Sequence, residues 1–286
     1  MNQELFKCDL SLETFFTPGP GANIVTRPVI PRGDGQPVYM RGEMGMKEDG
    51  KPRAMVAHNT THIDVPLHFI EGGADLDDVL NNPEYGINRP MLTRVLDLSK
   101  WPDARQCREW NGIRYCEKVL EEMLPPAELL RQYDALLVLT GFGAIMRQDS
   151  ESFLPDSEGF FHMPSLTVEV AQRVAEAELS LLAIDGPTLE YQTQGIPYRM
   201  SSSVHPILLG NDPPVLILEG VAGDRVEPQI GYIPEEGMLE VIPRRANAKG
   251  ADAAQARVFL SFYKGADQRQ QLEELIRIVS PQQLFG

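Results

Sequence analysis

The chain has 286 residues, 42% of them hydrophobic, 7% aromatic and 23% charged, an ordinary globular composition long enough for a sizeable core. Its 26 Lys and Arg against 41 Asp and Glu give a formal charge of −15, which argues against nucleic acid or an anionic membrane surface as the main partner, since either repels the protein at long range. Cys8, Cys107 and Cys116 are odd in number and lack Cys-x-x-Cys spacing, so a disulfide framework is excluded and a reducing cytoplasm is the expected location. The N-terminus shows no basic segment leading into an apolar one, and no apolar run approaches the ~20 residues that span a bilayer.

Taken in chain order, a short strand is expected over Leu5–Leu12, and the first ~55 residues otherwise read as Gly- and Pro-rich loops, TPGPGAN (17–23) and IPRGDGQP (30–37) among them. Apolar runs at Leu92–Leu98, Ala135–Thr140, Leu179–Ile184, Val215–Leu218 and Arg257–Phe262 read as buried strands. Helices are expected over Ala74–Leu80, over Pro126–Gln132 with its opening prolines, and over Thr167–Glu178, where Thr167 caps a stripe of Val170, Val174 and Ala177. A last helix, Asp267–Val279, places Leu272, Leu275, Ile276 and Val279 on one face. Strands mixed with helices give an α/β or α+β class. The stretches Gly141–Pro164 and Asp185–Val204 read as long loops, the kind that form lids or site walls. No repeat, low-complexity tract or linker marks a boundary, so one domain is expected over 1–286.

Of the five histidines, three lie within His58–His68, and Asp64 lies among them. A helix would put Asp64 ~200° around from His62. In an extended chain side chains alternate, and His58, His62, Asp64 and His68 all hold even positions while Ile63, Val65, Leu67 and Phe69 hold odd ones. Extension therefore gives one face of imidazoles and a carboxylate, backed by a core face. Pro66 has no N–H, so the segment is expected to be an edge strand or to leave the sheet there, with the site at the sheet edge. Two imidazoles and a carboxylate converging on one point suit Zn²⁺, or Mn²⁺ if oxygen ligands dominate, and the carboxylate is able to bridge two ions.

The segment HNTTHIDVPLHF resembles the signature His-x-Gly-Thr-His-x-Asp-x-Pro-x-His-Phe of the metal-dependent cyclase-like hydrolases, a family that includes bacterial kynurenine formamidase and isatin hydrolase; Thr60 stands where the family has Gly. CDLSL, LLVLTGFG, LLAIDGPTLE and HPILLGNDPPVLILEGVAG resemble further segments of that family more weakly, and 25–57 and the final helix (267–279) look peripheral to it. The resemblance implies an α/β fold: a single compact cyclase-like domain with a mixed β-sheet core flanked by helices. It implies a divalent metal, Zn or Mn, one or two ions per subunit, held by His58, His62 and Asp64 and, from a distant part of the chain, by His205 and Glu219. His68 would be the acid/base. It further implies a homodimer or higher homo-oligomer, to which the amphipathic C-terminal helix would contribute contacts.

His162, Phe142, Phe160, Phe161, Tyr191 and Tyr198 lie in or beside the two long loops and are candidates to wall a pocket for a planar substrate. No dinucleotide fingerprint, phosphate-binding loop or Gly-x-Ser-x-Gly elbow occurs. The expected activity is hydrolysis of a linear or cyclic amide in a small-molecule substrate. Alternatives are a lyase or cyclase, or a lactone or ester hydrolase, on the same site, and, in another class, a non-catalytic metal-binding protein, against which the intact His68 argues.

Overall fold

A computed structural model describes residues 4–12, 24–31, 37–46, 52–56, 61–148, 162–191, 203–244, 250–264 and 268–279. In chain order its strands are β1 (Leu5–Asp9), β2 (Ile24–Pro31), β3 (Pro37–Met46), β4 (Pro52–Val56), β5 (His62–Asp64), β6 (Met91–Asp97), β7 (Cys107–Trp110), β8 (Ile113–Cys116), β9 (Lys118–Val119), β10 (Ala135–Leu139), β11 (Ser165–Leu166), β12 (Leu181–Ile184), β13 (Leu216–Glu219), β14 (Glu236–Pro243) and β15 (Ala253–Tyr263). The helices are α1 (Leu76–Asn81), α2 (Ala127–Leu130), α3 (Phe142–Gln148), α4 (Val168–Glu176), α5 (Val204–Leu209), α6 (Glu227–Ile230) and α7 (Gln268–Val279).

The fold is α/β, built on a mixed sheet in the order β1-β15-β14-β6-β10-β12-β13-β5, with β5 pairing back onto β15 so that the sheet closes on itself. Strands β6, β10, β12 and β13 are mutually parallel, whereas β14, β15, β5 and β1 pair antiparallel. The long strand β15 makes closure possible: Ala253–Gln255 pairs with β5, and the rest pairs with β14 and β1.

Alternation along the central strands β10, β12 and β13 explains why they are apolar at every residue up to Glu219. Ala135, Leu137 and Leu139, Leu181 and Ala183, and Leu216 and Leu218 enter one core cluster inside the closed sheet. Leu136 and Val138, Leu182 and Ile184, and Ile217 enter a second cluster beneath the helices, with Val170 and Val174 of α4 and Val204 and Leu208 of α5. Strands buried on both faces lose the polar/apolar alternation of a half-exposed sheet.

The expected core strands and the expected helices near 76–81, 127–130, 168–176 and 268–279 are all present. Four readings change. The Gly- and Pro-rich N-terminal stretch, expected to be loop, carries β2, β3 and β4, an antiparallel sheet of its own. The loop expected from Gly141 begins as α3, and a hairpin, β7–β8, occupies a stretch with no apolar run to announce it. Strand β5 is not an edge, because β13 and β15 flank it. Pro66 needs no ladder partner because the chain has already left the sheet, entering a 3₁₀ turn over Pro66–His68. Finally, α7, expected to supply contacts to a second subunit, packs part of its apolar face on its own chain: Leu272 is buried, and the half-buried Leu275 and Ile276 lie against the cluster beneath the helices.

Among the described residues no helix is long and apolar enough to cross a membrane.

Candidate metal centre

The parity of the sequence carries over into β5. Ile63 and Val65 enter the core inside the sheet, which leaves His62 and Asp64 on the opposite face, the one covered by α5. The antiparallel register then sets His62 directly against Glu219 of β13. The two side chains meet, with His62 Nε2 3.3 Å from Glu219 Oε2 and 3.5 Å from Asp64 Oδ1. Thr61 fixes this pairing from beneath: its buried hydroxyl donates to the Gly220 carbonyl (2.6 Å) and accepts from the Leu12 N–H (2.7 Å).

His205 comes from the first turn of α5 and closes the cluster. Its Nε2 lies 3.3 Å from Glu219 Oε1 and 3.5 Å from Asp64 Oδ2. The other ring nitrogen is held by Glu190, whose Oε1 lies 3.0 Å from His205 Nδ1 and also accepts the Val204 and His205 N–H groups at 3.0 Å. One buried carboxylate thus caps the helix and aims the imidazole, with Nε2 left for the cluster. Phe69, the last residue of the signature, lies nearly parallel to the His205 ring at 4.6 Å. A second carboxylate holds His68: Asp252, fully buried just before β15, places Oδ2 3.1 Å from His68 Nδ1. The 3₁₀ turn, closed by the His68 N–H on the Val65 carbonyl (2.9 Å), swings His68 back toward Asp64 and His205.

Burial works against the His205 imidazolium, but Asp64, Glu190 and Glu219 outweigh it and hold its pKa well above the ordinary histidine value. Burial likewise opposes the Glu219 carboxylate, and His205 and His62 overcome it, so its pKa is lowered.

The four nitrogen–oxygen separations of 3.3–3.5 Å are long for charge-assisted hydrogen bonds, which run ~2.7–2.9 Å. They bring two imidazole nitrogens and both oxygens of two carboxylates into one buried cluster, the donor types that a zinc or manganese ion takes. The residues present therefore fit a divalent metal: His62, Asp64 and Glu219 form one converging donor group, and Asp64, His68 and His205 form another that shares Asp64. His58 lies outside the described residues, as do Thr60, Phe160, Phe161 and Tyr198.

The structure brings together His62, Asp64, His68, His205 and Glu219. His162 instead stands beside Glu117, with Nδ1 3.3 Å from Glu117 Oε1. Phe142 requires correction as a pocket-wall residue: it is fully buried in α3, edge-on to Tyr115 at 5.0 Å and packed with Ile145 and Met163. Glu190 and Asp252 were not anticipated from the sequence. Each is a single acid outside the histidine cluster, and only the fold reveals which imidazole it meets.

A further buried acid, Asp185, organises the corner after β10. Its carboxylate accepts the Thr140 N–H (2.8 Å), the Thr140 hydroxyl (2.5 Å) and the Gly141 N–H (2.8 Å). Burial nevertheless pushes its pKa up to about 6, against those donors. The folded value exceeds the unfolded ~3.9, so the folded protein keeps a proton that the unfolded chain releases between them. This group's contribution to stability is full below ~3.9 and is lost as pH rises through about 6. The stability advantage of the wild type over Asp185→Asn is expected to shrink as pH rises from ~4 to ~7. Paired denaturant melts across that range check it; a gap that widens with pH would contradict it.

Glu190→Gln is expected to weaken metal binding by ~10–100-fold, the usual cost of losing a ligand's outer partner. Metal titration against a competing chelator measures it, and unchanged affinity would leave Glu190 a helix cap only.

The Cyclase family model, described as "Putative cyclase", matches residues 9–191. The chain belongs to that family. Comparison with curated proteins gave no match. Similar solved structures include a potential metal-dependent hydrolase with cyclase activity (20% identity over 90% of this chain and 98% of that one, TM-score 0.49). A predicted metal-dependent hydrolase from Bacillus stearothermophilus is 18% identical over 90% of this chain and 98% of its own, TM-score 0.48. An isatin hydrolase bound to the product analogue thioisatinate is 15% identical over 91% of this chain and 94% of its own, TM-score 0.48.

Proposed function

We propose that the protein is a metal-dependent hydrolase that opens a linear or cyclic amide of a small-molecule substrate with water. The observation that supports it most is the quartet of 3.3–3.5 Å separations between the imidazoles of His62 and His205 and the carboxylates of Asp64 and Glu219. These four side chains hold the metal, zinc or manganese, with His58 as a further ligand. A bound divalent metal polarises a carbonyl and makes water easier to deprotonate. His68, steadied by Asp252, takes the proton of the attacking water and returns it to the nitrogen as the carbon–nitrogen bond breaks, leaving a carboxylic acid and an amine. The resemblance of HNTTHIDVPLHF to the signature shared by formamidase and isatin hydrolase supports a C–N bond, so an aryl formamide or a ring-fused lactam is the substrate class to try first. The protein works in the cytoplasm as a homodimer, and a monomeric sedimentation profile at micromolar concentration would defeat the dimer.

The test is elemental analysis of the purified protein, followed by a screen of aryl formamides, cyclic amides and lactones. Stoichiometric zinc or manganese with amide turnover supports the reading. Turnover of lactones alone moves the bond from C–N to C–O. Bound metal with no turnover of any of them favours a non-catalytic metal-binding protein.

A further inference from the structure

The hairpin β7–β8 closes through Asn111 and Gly112, both at positive φ (47° and 81°), as a two-residue turn of the kind whose twist suits antiparallel strands. Trp110 faces Ile113 across it, Glu109 faces Arg114, Arg108 faces Tyr115, and Cys107 faces Cys116. Directly opposed residues in such a ladder alternate between hydrogen-bonded and non-hydrogen-bonded pairs. The next pair outward is hydrogen-bonded, since the Glu117 N–H donates to the Gln106 carbonyl (2.8 Å). Cys107 and Cys116 are therefore a non-hydrogen-bonded pair, the type with Cα atoms ~4.5 Å apart and side chains on one face. That spacing falls within the ~4.4–6.8 Å that a disulfide spans.

The surroundings differ for the two sulfurs. Cys107 is half-buried, with its Sγ 3.3 Å from Nη2 of Arg114 and 3.5 Å from the Trp101 carbonyl. Cys116 is fully buried, with its Sγ 3.4 Å from the Lys118 carbonyl, and burial pushes its thiol up to about 12. Cys8 is remote in sequence, on β1, and its thiol donates to Gln229 Oε1 at 3.0 Å.

We propose that Cys107 and Cys116 are a reversible dithiol site, oxidised in the folded protein by small-molecule disulfides to a cross-strand disulfide. The Cys107 thiolate attacks the small disulfide and releases one small thiol, leaving a mixed disulfide on Cys107. The Cys116 thiol then gives up its proton and attacks the Cys107 sulfur, releasing the second small thiol. The protein loses two hydrogens, and the small disulfide is reduced to two thiols. Closure is the slower step, because the buried Cys116 is rarely a thiolate. The ring it makes clamps the open end of the hairpin, where the Glu117 carbonyl accepts the Ser165 N–H (3.0 Å) and Tyr115 donates to the His162 carbonyl (2.8 Å). The site is independent of the proposed activity.

The experiment incubates the native protein in mixtures of glutathione and glutathione disulfide of rising oxidation, quenches with acid, denatures and alkylates. The expected result is an intact mass ~2 Da below the reduced protein before alkylation and, after it, a single adduct, at Cys8, where the reduced protein takes three. Trypsin should then yield Gln106–Arg108 joined to Tyr115–Lys118, separated again by a thiol reductant. Cys116→Ser should stop at the mixed disulfide, gaining one glutathione at Cys107 and never losing ~2 Da. Three wild-type outcomes overturn the proposal: both cysteines still alkylated in the most oxidising mixture, a mixed disulfide on Cys107 that never closes, or a bridge to Cys8.

Discussion

His62→Ala is expected to strip most of the metal from the purified protein and abolish its turnover. His62 is the residue that links strand register to the site: it faces Glu219 across the β5–β13 ladder and shares a β5 face with Asp64. Removing its imidazole takes one donor from the set and leaves the buried carboxylates of Asp64 and Glu219 with one partner fewer. The affinity loss should exceed the ~10–100-fold that loss of an outer partner costs. Elemental analysis, with circular dichroism to confirm folding, gives the readout. A folded variant with full metal occupancy would exclude His62 as a ligand. Binding in the wild type should also weaken as pH falls. The carboxylates around His205 hold its pKa well above the ordinary histidine value, and a metal taking Nε2 must displace that proton. Lower pH keeps the proton in place, so metal release on acidification should set in at a higher pH than titration of ordinary histidines would give.

The site was legible in the sequence to the extent that it is local. His62, Asp64 and His68 sit within a few residues, and alternation alone put His62 and Asp64 on one face with Ile63 and Val65 behind them. The core strands were legible because burial on both faces leaves unbroken apolar runs. His205 came only from the family resemblance, and Glu219 from the resemblance together with its place at the end of the apolar run VLIL; neither is tied to the histidine cluster until β13 is laid beside β5. Glu190 and Asp252 carried none, since their role is to hold a ring nitrogen across a gap in the sequence. The edge placement failed for a related reason. Pro66 does mark the end of the ladder, but what flanks β5 is decided by β15, nearly two hundred residues later in the chain, and no local pattern encodes that closure. The hairpin at 107–116 escaped because its strands are short and mixed in polarity; the Asn111-Gly112 pair was its one local marker.

The same closure also positions His68. Val65 N–H donates to the carbonyl of Asp252 at 3.1 Å, so the pairing of β5 with the start of β15 also delivers the Asp252 carboxylate to the His68 ring. His68 lies close enough to Asp64 and His205 to be a ligand, and also in the position expected of an acid/base, so geometry offers two roles that chemistry separates. As acid/base, His68→Ala should lower kcat by ~10²–10⁴-fold while metal content stays at the wild-type level. Asp252→Ala should then lower kcat by a smaller factor, ~10–100-fold, also with metal retained, because the imidazole remains and only its orientation is lost. As ligand, His68→Ala would lose metal and activity together, and added metal would restore part of both. Measuring stoichiometry and turnover on the same preparations of the two variants decides between the roles. Metal loss in His68→Ala that parallels its loss of activity would end the acid/base assignment and move His68 into the coordination sphere beside His205.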